Sequence, residues 1–272
     1  MKIRSATTSD WQVFLTLAKE EGWQVPRLEV DLLTSALNGG AFALLEGGVC
    51  RGFVTTAAHP RSGWIGNLIL APEGRGKGTG GRLFDFAVGH LERRGSASII
   101  LTASELGRPL YEKRGFRSIG TIERWRHDPA PRRGPRPPFE REGREALCQL
   151  DALAWDEARG SLLTFLSERG QTFVAGLSCL HVQEGEDMQV LGPWYSASRC
   201  LEENHRLLRL ALDAVKYAAP LFTDLLVESG LSPLLDRAGF RPCGSTALMV
   251  KGECPAELSR HLVSLASLGS LG

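Results

Sequence analysis

The sequence of 272 residues predicts an α/β protein in which one fold, built on a mixed sheet, occurs twice. The strand and helix patterns of the first half follow the order β-α-α-β-β-β-α-β-α-β. Residues 109–117 of that half recur, in altered form, as residues 233–241, 124 positions later. A proline-rich stretch lies between the copies. We therefore expect one unit at 1–127, a linker at 128–144 and a second unit at 145–272.

The repeat rests on specific matches between the two halves. The sequence PLYEKRGFR in the first copy becomes PLLDRAGFR in the second, and Gly120 then matches Gly244. Upstream, Trp64-Ile65-Gly66 in the first copy corresponds to Val190-Leu191-Gly192 in the second, and a helix pattern follows each. Such self-similarity indicates duplication of one fold rather than two unrelated domains.

The linker prediction comes from composition. Residues 128–138 contain five prolines in eleven positions, which can sustain neither a helix nor the interior of a sheet. We expect an extended, solvated connector there.

In the first half, each element has a local signal. Asp10 or a neighbour caps a first helix, Gly39-Gly40 ends a second, Gly47-Gly48 turns a hairpin and Pro109 starts a short helix. The expected strands lie at 2–5, 41–46, 49–57, 64–70, 98–102 and 116–126. The expected helices begin near residue 10, cover 27–38 and 80–94, and follow Pro109.

In the second half, apolar periodicity provides most of the signals. The expected helices lie at 151–168, at 200–217 and after Pro233. The expected strands form a pair near 171–191 and continue at 221–228 and 246–251. Leu258, Leu262 and Leu265 recur at helical spacing near the end of the chain and are expected to pack onto the body or onto a partner, which leaves a homodimer open.

Composition excludes several classes of function. A net charge of +1 gives no electrostatic footprint for nucleic acid or for a membrane surface. No apolar run approaches the roughly 20 residues of a membrane span, and the first residues lack the apolar stretch of a secretory signal. Six cysteines are scattered without a C-x-x-C pair, so we expect reduced thiols in the cytoplasm and no metal site.

A glycine-rich loop at residues 71–81 follows the strand pattern 64–70 and precedes a helix, an arrangement suited to binding a diphosphate. A P-loop needs Lys and Ser or Thr after its last glycine, and Gly81-Arg82 follows Gly80 instead. A dinucleotide loop places its first glycine directly after the strand, whereas five residues separate Leu70 from Gly76. Both of these alternatives fit poorly.

The spacing Arg75-x-x-Gly78-x-Gly80, followed some thirty residues later by Tyr-x-x-x-Gly-Phe at 111–116, resembles the acetyl-CoA signature of the GNAT superfamily of N-acetyltransferases. The resemblance implies two tandem GNAT-like domains and acetyl-CoA as cosubstrate. It also implies that the strand before the loop pairs with the pantetheine arm. The cofactor-binding residues would be Leu68, Ile69, Leu70, Arg75, Gly76, Lys77, Gly78, Thr79 and Gly80.

Tyr111 aligns with the general-acid tyrosine of the family. A phenol titrates near ~10, above a thiol near ~8.5, so it stays protonated at neutral pH and can donate to a leaving thiolate. The general base stays open, because no Asp or Glu occurs between Gly47 and Pro72. His59, Glu20, Glu21 and Asp31 are the candidates.

The second copy has lost this chemistry, since Leu235 stands where the tyrosine should be and residues 195–202 contain no glycine. The sequence thus predicts an N-acetyltransferase that moves an acetyl group to a small-molecule or peptide amine, joined to a degenerate copy. The alternative is a non-catalytic module that binds CoA or acyl-CoA and acts as a sensor.

Overall fold

The computed structural model describes residues 1–35, 37, 39–128, 142–215 and 218–272. Its strands form one mixed sheet of twelve in the order β1-β2-β3-β4-β5-β11-β6-β10-β12-β9-β8-β7. The strands are β1 Lys2–Ser5, β2 Gly39–Glu46, β3 Val49–Ala58, β4 Ser62–Leu70, β5 Ser98–Ala103, β6 Arg117–His127, β7 Gly170–Ala175, β8 Ser178–Gln183, β9 Gln189–Ser196, β10 Leu221–Leu226, β11 Arg241–Gly252 and β12 Leu262–Ser264.

The helices lie on both faces of this sheet. They are α1 Thr8–Glu20, α2 Arg27–Ser35, α3 Thr79–Arg93, α4 Arg108–Glu112, α5 Glu142–Trp155, α6 Gly160–Ser167, α7 Leu201–Ala214, α8 Ser232–Arg237 and α9 Leu258–His261. In the described part of the chain, none of them is both long and apolar enough to cross a membrane.

The two halves exchange a strand at the centre of the sheet. Strand β6 of the first half pairs with β10 and β11 of the second, and β11 pairs on its other side with β5 of the first. The two copies also share an arrangement of elements, as the sequence repeat predicts. In the first, the parallel strands β4 and β5 are connected through helix α3, and in the second, the parallel strands β9 and β10 are connected through helix α7. The exchange itself was not expected, because the repeat does not say which copy a strand pairs with.

Successive residues of a strand point to opposite faces, which separates the helices into two layers. On β4, Ile65 packs in one cluster with helices α3 and α4. Its neighbour Trp64 packs in another cluster with helices α2, α5 and α6, and Ile69 packs with α1. Helices α3 and α4 thus cover one face of the first half, and α1, α2 and α5 cover the other.

The first-half elements are confirmed to within a few residues, although Ala36 and Asn38 of the predicted second helix lie outside the described residues. Three expectations for the second half were wrong. The helix expected at 151–168 is two helices, because Asp156 adopts a left-handed conformation with φ of 55°. The strand pair near 171–191 is part of a three-stranded meander. Residues 129–141 of the predicted linker and 216–217 of the predicted helix also lie outside the description, and α5 already starts at Glu142.

The third wrong expectation concerns the C-terminal leucines, which do not form one helix. Leu258 lies in the four-residue α9, Leu262 lies in β12, and the chain then continues without regular structure. We call residues 265–272 the C-terminal segment. All of it except Gly269 is buried, so the leucines pack onto the body of the protein.

Side chains from both halves hold the C-terminal segment. Trp64 Nε1 and Thr102 Oγ1 donate to the carbonyl oxygen of Gly269 at 3.3 and 2.9 Å. Arg159 Nη1 donates to the carbonyl oxygen of Gly272 at 2.9 Å. The segment is therefore fixed across the junction between the copies.

Candidate functional site

Strands β4 and β5 diverge beside the glycine loop. They pair in parallel at only three positions, Ser62 with Ser98, Gly63 with Ile99 and Trp64 with Ile100. Beyond Trp64, β4 continues to Leu70 and β5 to Ala103, each still paired on its outer side, with β3 and β11 respectively. Among the described residues, no strand pairs with the edges of β4 and β5 that face each other along this stretch. The result is a V-shaped gap whose edges carry main-chain groups able to bond an extended ligand. We call it the first gap.

A β-bulge in β4 lies at the mouth of the first gap. Thr55 of β3 pairs with Gly66, whereas Phe53 pairs with Ile69, so β4 carries one extra residue between these pairs. Asn67 absorbs the irregularity with φ of 54°, a conformation that asparagine tolerates better than most residues, and its Nδ2 donates to Thr55 Oγ1 at 3.3 Å. The bulge interrupts the pairing of β4 with β3 at Asn67 and Leu68, and the pairing resumes at Ile69.

The predicted cofactor strand residues line this part of β4. Leu68 and Leu70 are partly buried against the α3 face, and Ile69 is buried against α1 on the other face. Their side chains thus serve the core, while their main chain borders the first gap. The core interpretation of their side chains is confirmed, and the pairing of their main chain with a pantetheine arm stays a prediction.

Two glycines of the loop have left-handed backbone conformations and open space beside them. Gly76 and Gly78 have φ of 76° and 73°, values that glycine alone adopts without strain, and a Cβ built on either would meet no atom within 4 Å. Helix α3 starts at Thr79, and its first bonded N–H is that of Arg82, which donates to Gly78 O at 3.1 Å. The N–H groups of Thr79 to Gly81 precede that bond and lie at the positive end of the helix.

The two basic residues of the loop differ in role. Arg75 donates from Nη2 to Leu70 O at 3.0 Å and to Glu21 Oε1 at 2.6 Å, so its side chain ties the loop to β4 and to the end of α1. Lys77 is exposed. Lys77 is thus better placed than Arg75 to add charge beside a diphosphate.

Tyr111 lies in α4, on the face of the sheet covered by α3. Only 9% of it is exposed, and its ring packs against Phe84 and Phe116 with centroid distances of 4.8 and 6.3 Å. Burial raises the pKa of Tyr111 to about 12, so the phenol keeps its proton over the whole physiological range.

On the opposite face, Glu29 is a residue that sequence reasoning missed. It lies on α2 and is only 6% exposed, although it carries a carboxyl group. The signal was present, because Glu29 shares an i, i+3, i+4 stripe with Leu32 and Leu33 that packs into the core. A charged residue at a core position of an amphipathic helix is unusual and points to a specific role.

The other candidates for the base lie elsewhere. Glu20, Glu21 and Asp31 are exposed, and Glu21 is paired with Arg75. His59 sits in the turn between β3 and β4, at the end of β4 far from the glycine loop. Burial and the charge of Arg159 lower its pKa to about 3. None of the four combines burial with a position beside the first gap.

The matching gap in the second half is closed by the chain itself. Strands β9 and β10 pair in parallel only at Gln189 with Leu221 and Val190 with Phe222, and then diverge. Strand β12 fills the space between them and pairs with both. The second gap thus holds a piece of this protein where a cofactor would lie.

The loop of the second half is also occupied by its own side chains. Arg199 donates to the carbonyl oxygens of Ser259 and Arg260 at 2.7 and 2.8 Å. Glu203 accepts from Ser178 Oγ and Ser198 Oγ at 3.0 and 2.6 Å. Within the described ranges, moreover, no three His, Cys, Asp or Glu side chains converge to hold a metal ion.

Comparison with known proteins agrees with this geometry. Residues 16–126 match the family model described as an acetyltransferase (GNAT) domain. The chain is similar to a protein provisionally classed as an acetyltransferase from Pyrococcus horikoshii, with 17% identity, a TM-score of 0.79 and coverage of 100% of this chain and 95% of that one. Among curated protein sequences, none matches this chain.

Two further solved structures resemble most of the chain. A GCN5-related N-acetyltransferase from Sphaerobacter thermophilus has 15% identity and a TM-score of 0.64, covering 92% of this chain and 95% of its own. A tandem GNAT protein from the clavulanic acid biosynthesis pathway has 13% identity and a TM-score of 0.58, covering 94% and 99%.

The predicted resemblance to the GNAT superfamily is confirmed. The chain contains a GNAT domain in its first half, and the structural likenesses show two GNAT folds in tandem. The domain match over residues 16–126 supports an acyltransferase as the class of activity.

Proposed function

We propose that the protein transfers the acetyl group of acetyl-CoA to an amine, and that it does so in the first half alone. The observation that carries this proposal is the contrast between the two gaps. One fold occurs twice, and β12 occupies the gap of the second copy as an added strand. The first gap offers the same kind of main-chain edge to a ligand, and a pantetheine arm is an extended chain of amides suited to such pairing.

The contacts of the bound cofactor follow from this placement. The diphosphate would rest on the N–H groups between Gly76 and Gly80, with Lys77 adding charge. The thioester would reach the bulge of β4, where an N–H can stabilise the oxyanion of the tetrahedral intermediate. Tyr111, protonated at neutral pH, would donate to the departing thiolate.

The acceptor is a primary amine on a small molecule or on a peptide. A non-catalytic CoA sensor remains the competing function, and turnover separates the two. Acetyl-CoA should be incubated with spermidine, lysine, kanamycin and a short unblocked peptide while free thiol is measured. Release of CoA that depends on one amine supports the transferase. Binding of acetyl-CoA by calorimetry without any amine-dependent thiol release would favour the sensor.

A further inference from the structure

The carboxyl group of Glu29 lies among a small set of polar groups on the face opposite α3. The Ser270 hydroxyl and the Asn67 amide lie near enough to lower its pKa, and the ion pair between Arg124 and Asp224 is close enough to act on its charge. Its Oε2 is buried and has no hydrogen-bond partner. A buried carboxylate oxygen left without a donor is costly in a folded protein, and such exceptions call for an explanation.

The neighbours of this carboxyl group provide an explanation for the unpaired oxygen. Asn67 is the bulge residue of β4, so the group that contacts Glu29 also marks the place where β4 departs from regular pairing. The first gap begins within three residues of it, after Trp64. Tyr111 lies on the α3 face of the sheet. Glu29 lies on α2, which covers the other face, and its carboxyl group has Asn67 and Ser270 as neighbours. The residue that acts on the acceptor amine and the residue that acts on the leaving thiolate would thus lie on opposite faces of the sheet.

The C-terminal segment passes over the same part of β4. Gly66 lacks a side chain, and a Cβ there would lie 2.6 Å from the carbonyl oxygen of Ser270, so the segment passes in direct contact with β4. Gly269 is bonded to Thr102 of β5. Ser270 is therefore held over the start of the first gap by contacts to both strands that form it.

From this arrangement, and resting on the proposed function, we infer that Glu29 is the general base of the transfer and that Ser270 positions it. The carboxylate of Glu29 takes a proton from the ammonium form of the acceptor through a bridging water molecule, and the nitrogen lone pair then forms a bond to the thioester carbon. The carbon–sulfur bond breaks, and the thiolate takes a proton from Tyr111. Tyr111 regains a proton from the nitrogen as the amide forms, and Glu29 releases its proton to water.

The charge state of Glu29 is suited to this role. Burial raises its pKa, the hydrogen bonds from Ser270 and Asn67 and the charge of Arg124 lower it, and Asp224 raises it again, so that the pKa comes to about 7. A base with a pKa near the working pH is ionised in a large fraction of molecules and still holds a proton well enough to remove it.

The test is the pH dependence of turnover in three variants, each checked for acetyl-CoA affinity by calorimetry. In the wild type, kcat with the best amine of the panel should rise with pH through a limb near 7. Glu29→Gln should lower kcat by about 10²–10⁴-fold and abolish the limb, while acetyl-CoA affinity stays unchanged. Asp31→Asn, the exposed carboxyl of the same helix, is the matched control and should behave as wild type.

The variant Ser270→Ala provides an independent test of the inference. Loss of a hydroxyl that stabilises and positions the carboxylate should move the limb to higher pH and also lower kcat on the high-pH plateau. Should Glu29→Gln fail to fold, an unmoved limb in Ser270→Ala would still overturn the inference. If the wild type is active and Glu29→Gln is equally active, Glu29 is not the general base and the proposed transferase function still stands. If the wild type shows no turnover with any amine, the proposed transferase function itself is wrong.

Discussion

Replacing Glu29 by glutamine should remove a pH-dependent cost from the folded protein. The ordinary pKa of glutamate is 4.5, and burial raises that of Glu29 to about 7 in the fold. The folded state thus binds this proton more tightly than the unfolded state does. Stability of the wild type should therefore fall as pH rises from about 4.5 through 7, with no cost below that window and the full cost above it.

The size of the effect follows from the two pKa values. Their difference corresponds to about 3 kcal/mol at pH 8 and to less than about 1 kcal/mol at pH 5. Glutamine has nearly the same shape and no charge, so Glu29→Gln should exceed the wild type in stability by an amount that grows by about 2 kcal/mol or more between these pH values. Other titrating groups are common to both proteins and largely cancel in the comparison.

Urea unfolding at pH 5 and pH 8, followed by tryptophan fluorescence, measures this difference. Asp31→Asn serves again as control and should show no such trend. A stability difference between Glu29→Gln and wild type that is the same at both pH values would refute the reasoning, because Glu29 would then not be held in a desolvated site. A gain in stability together with a loss of turnover is the pattern expected of a residue kept for function.

The other predictions concern the cofactor site and the two copies. Tyr111→Phe should lower kcat by about 10²–10⁴-fold with little change in melting temperature, since the ring packing is retained; unchanged turnover would assign Tyr111 to packing alone. Calorimetry should show one acetyl-CoA site in the wild type and none in the double variant Gly78→Val with Gly80→Val. Two equivalent sites in the wild type would contradict the closure of the second gap. Tyr195→Phe should instead cost about 1–3 kcal/mol in denaturant unfolding, because Asp151 loses a bond of 2.7 Å in a buried network; an unaltered midpoint would argue against that network. A fragment of residues 1–127 should be insoluble or unfolded, as β5 and β6 would lose their partners from the second half.

Local sequence rules predicted the elements around the proposed cofactor site well. The strand, the glycine loop and the helix after it are consecutive in the chain, and each has a signal within a few residues. Gly76 and Gly78 adopt the positive φ that a diphosphate loop requires, and Tyr111 follows from the spacing of its motif. Such features depend on short-range geometry, which sequence records directly.

The proposed acceptor side depends on contacts between distant parts of the chain, which local sequence patterns do not record. Asp31 was considered as a base on α2 and Glu29 was not, although the two differ only in which side of the helix they face. Attention to the apolar stripe of α2 would have selected Glu29. Ser270 could not have been found, because its position over Gly66 results from tertiary packing of an irregular segment.

The C-terminal segment shows why helical spacing misled the prediction for the last leucines. Leu262 sits in a strand because the second gap offers unpaired edges of β9 and β10 on both sides, and that pairing outweighs the local tendency to form a helix. Gly192 of β9 and Gly66 of β4 occupy equivalent places in the two copies, and a Cβ on either would collide with this segment, at Leu265 O and Ser270 O respectively. One stretch of chain thus closes the second gap and then forms a wall of the first. In the function proposed above, the C-terminal segment would therefore complete, from the second half, the site that the first half begins.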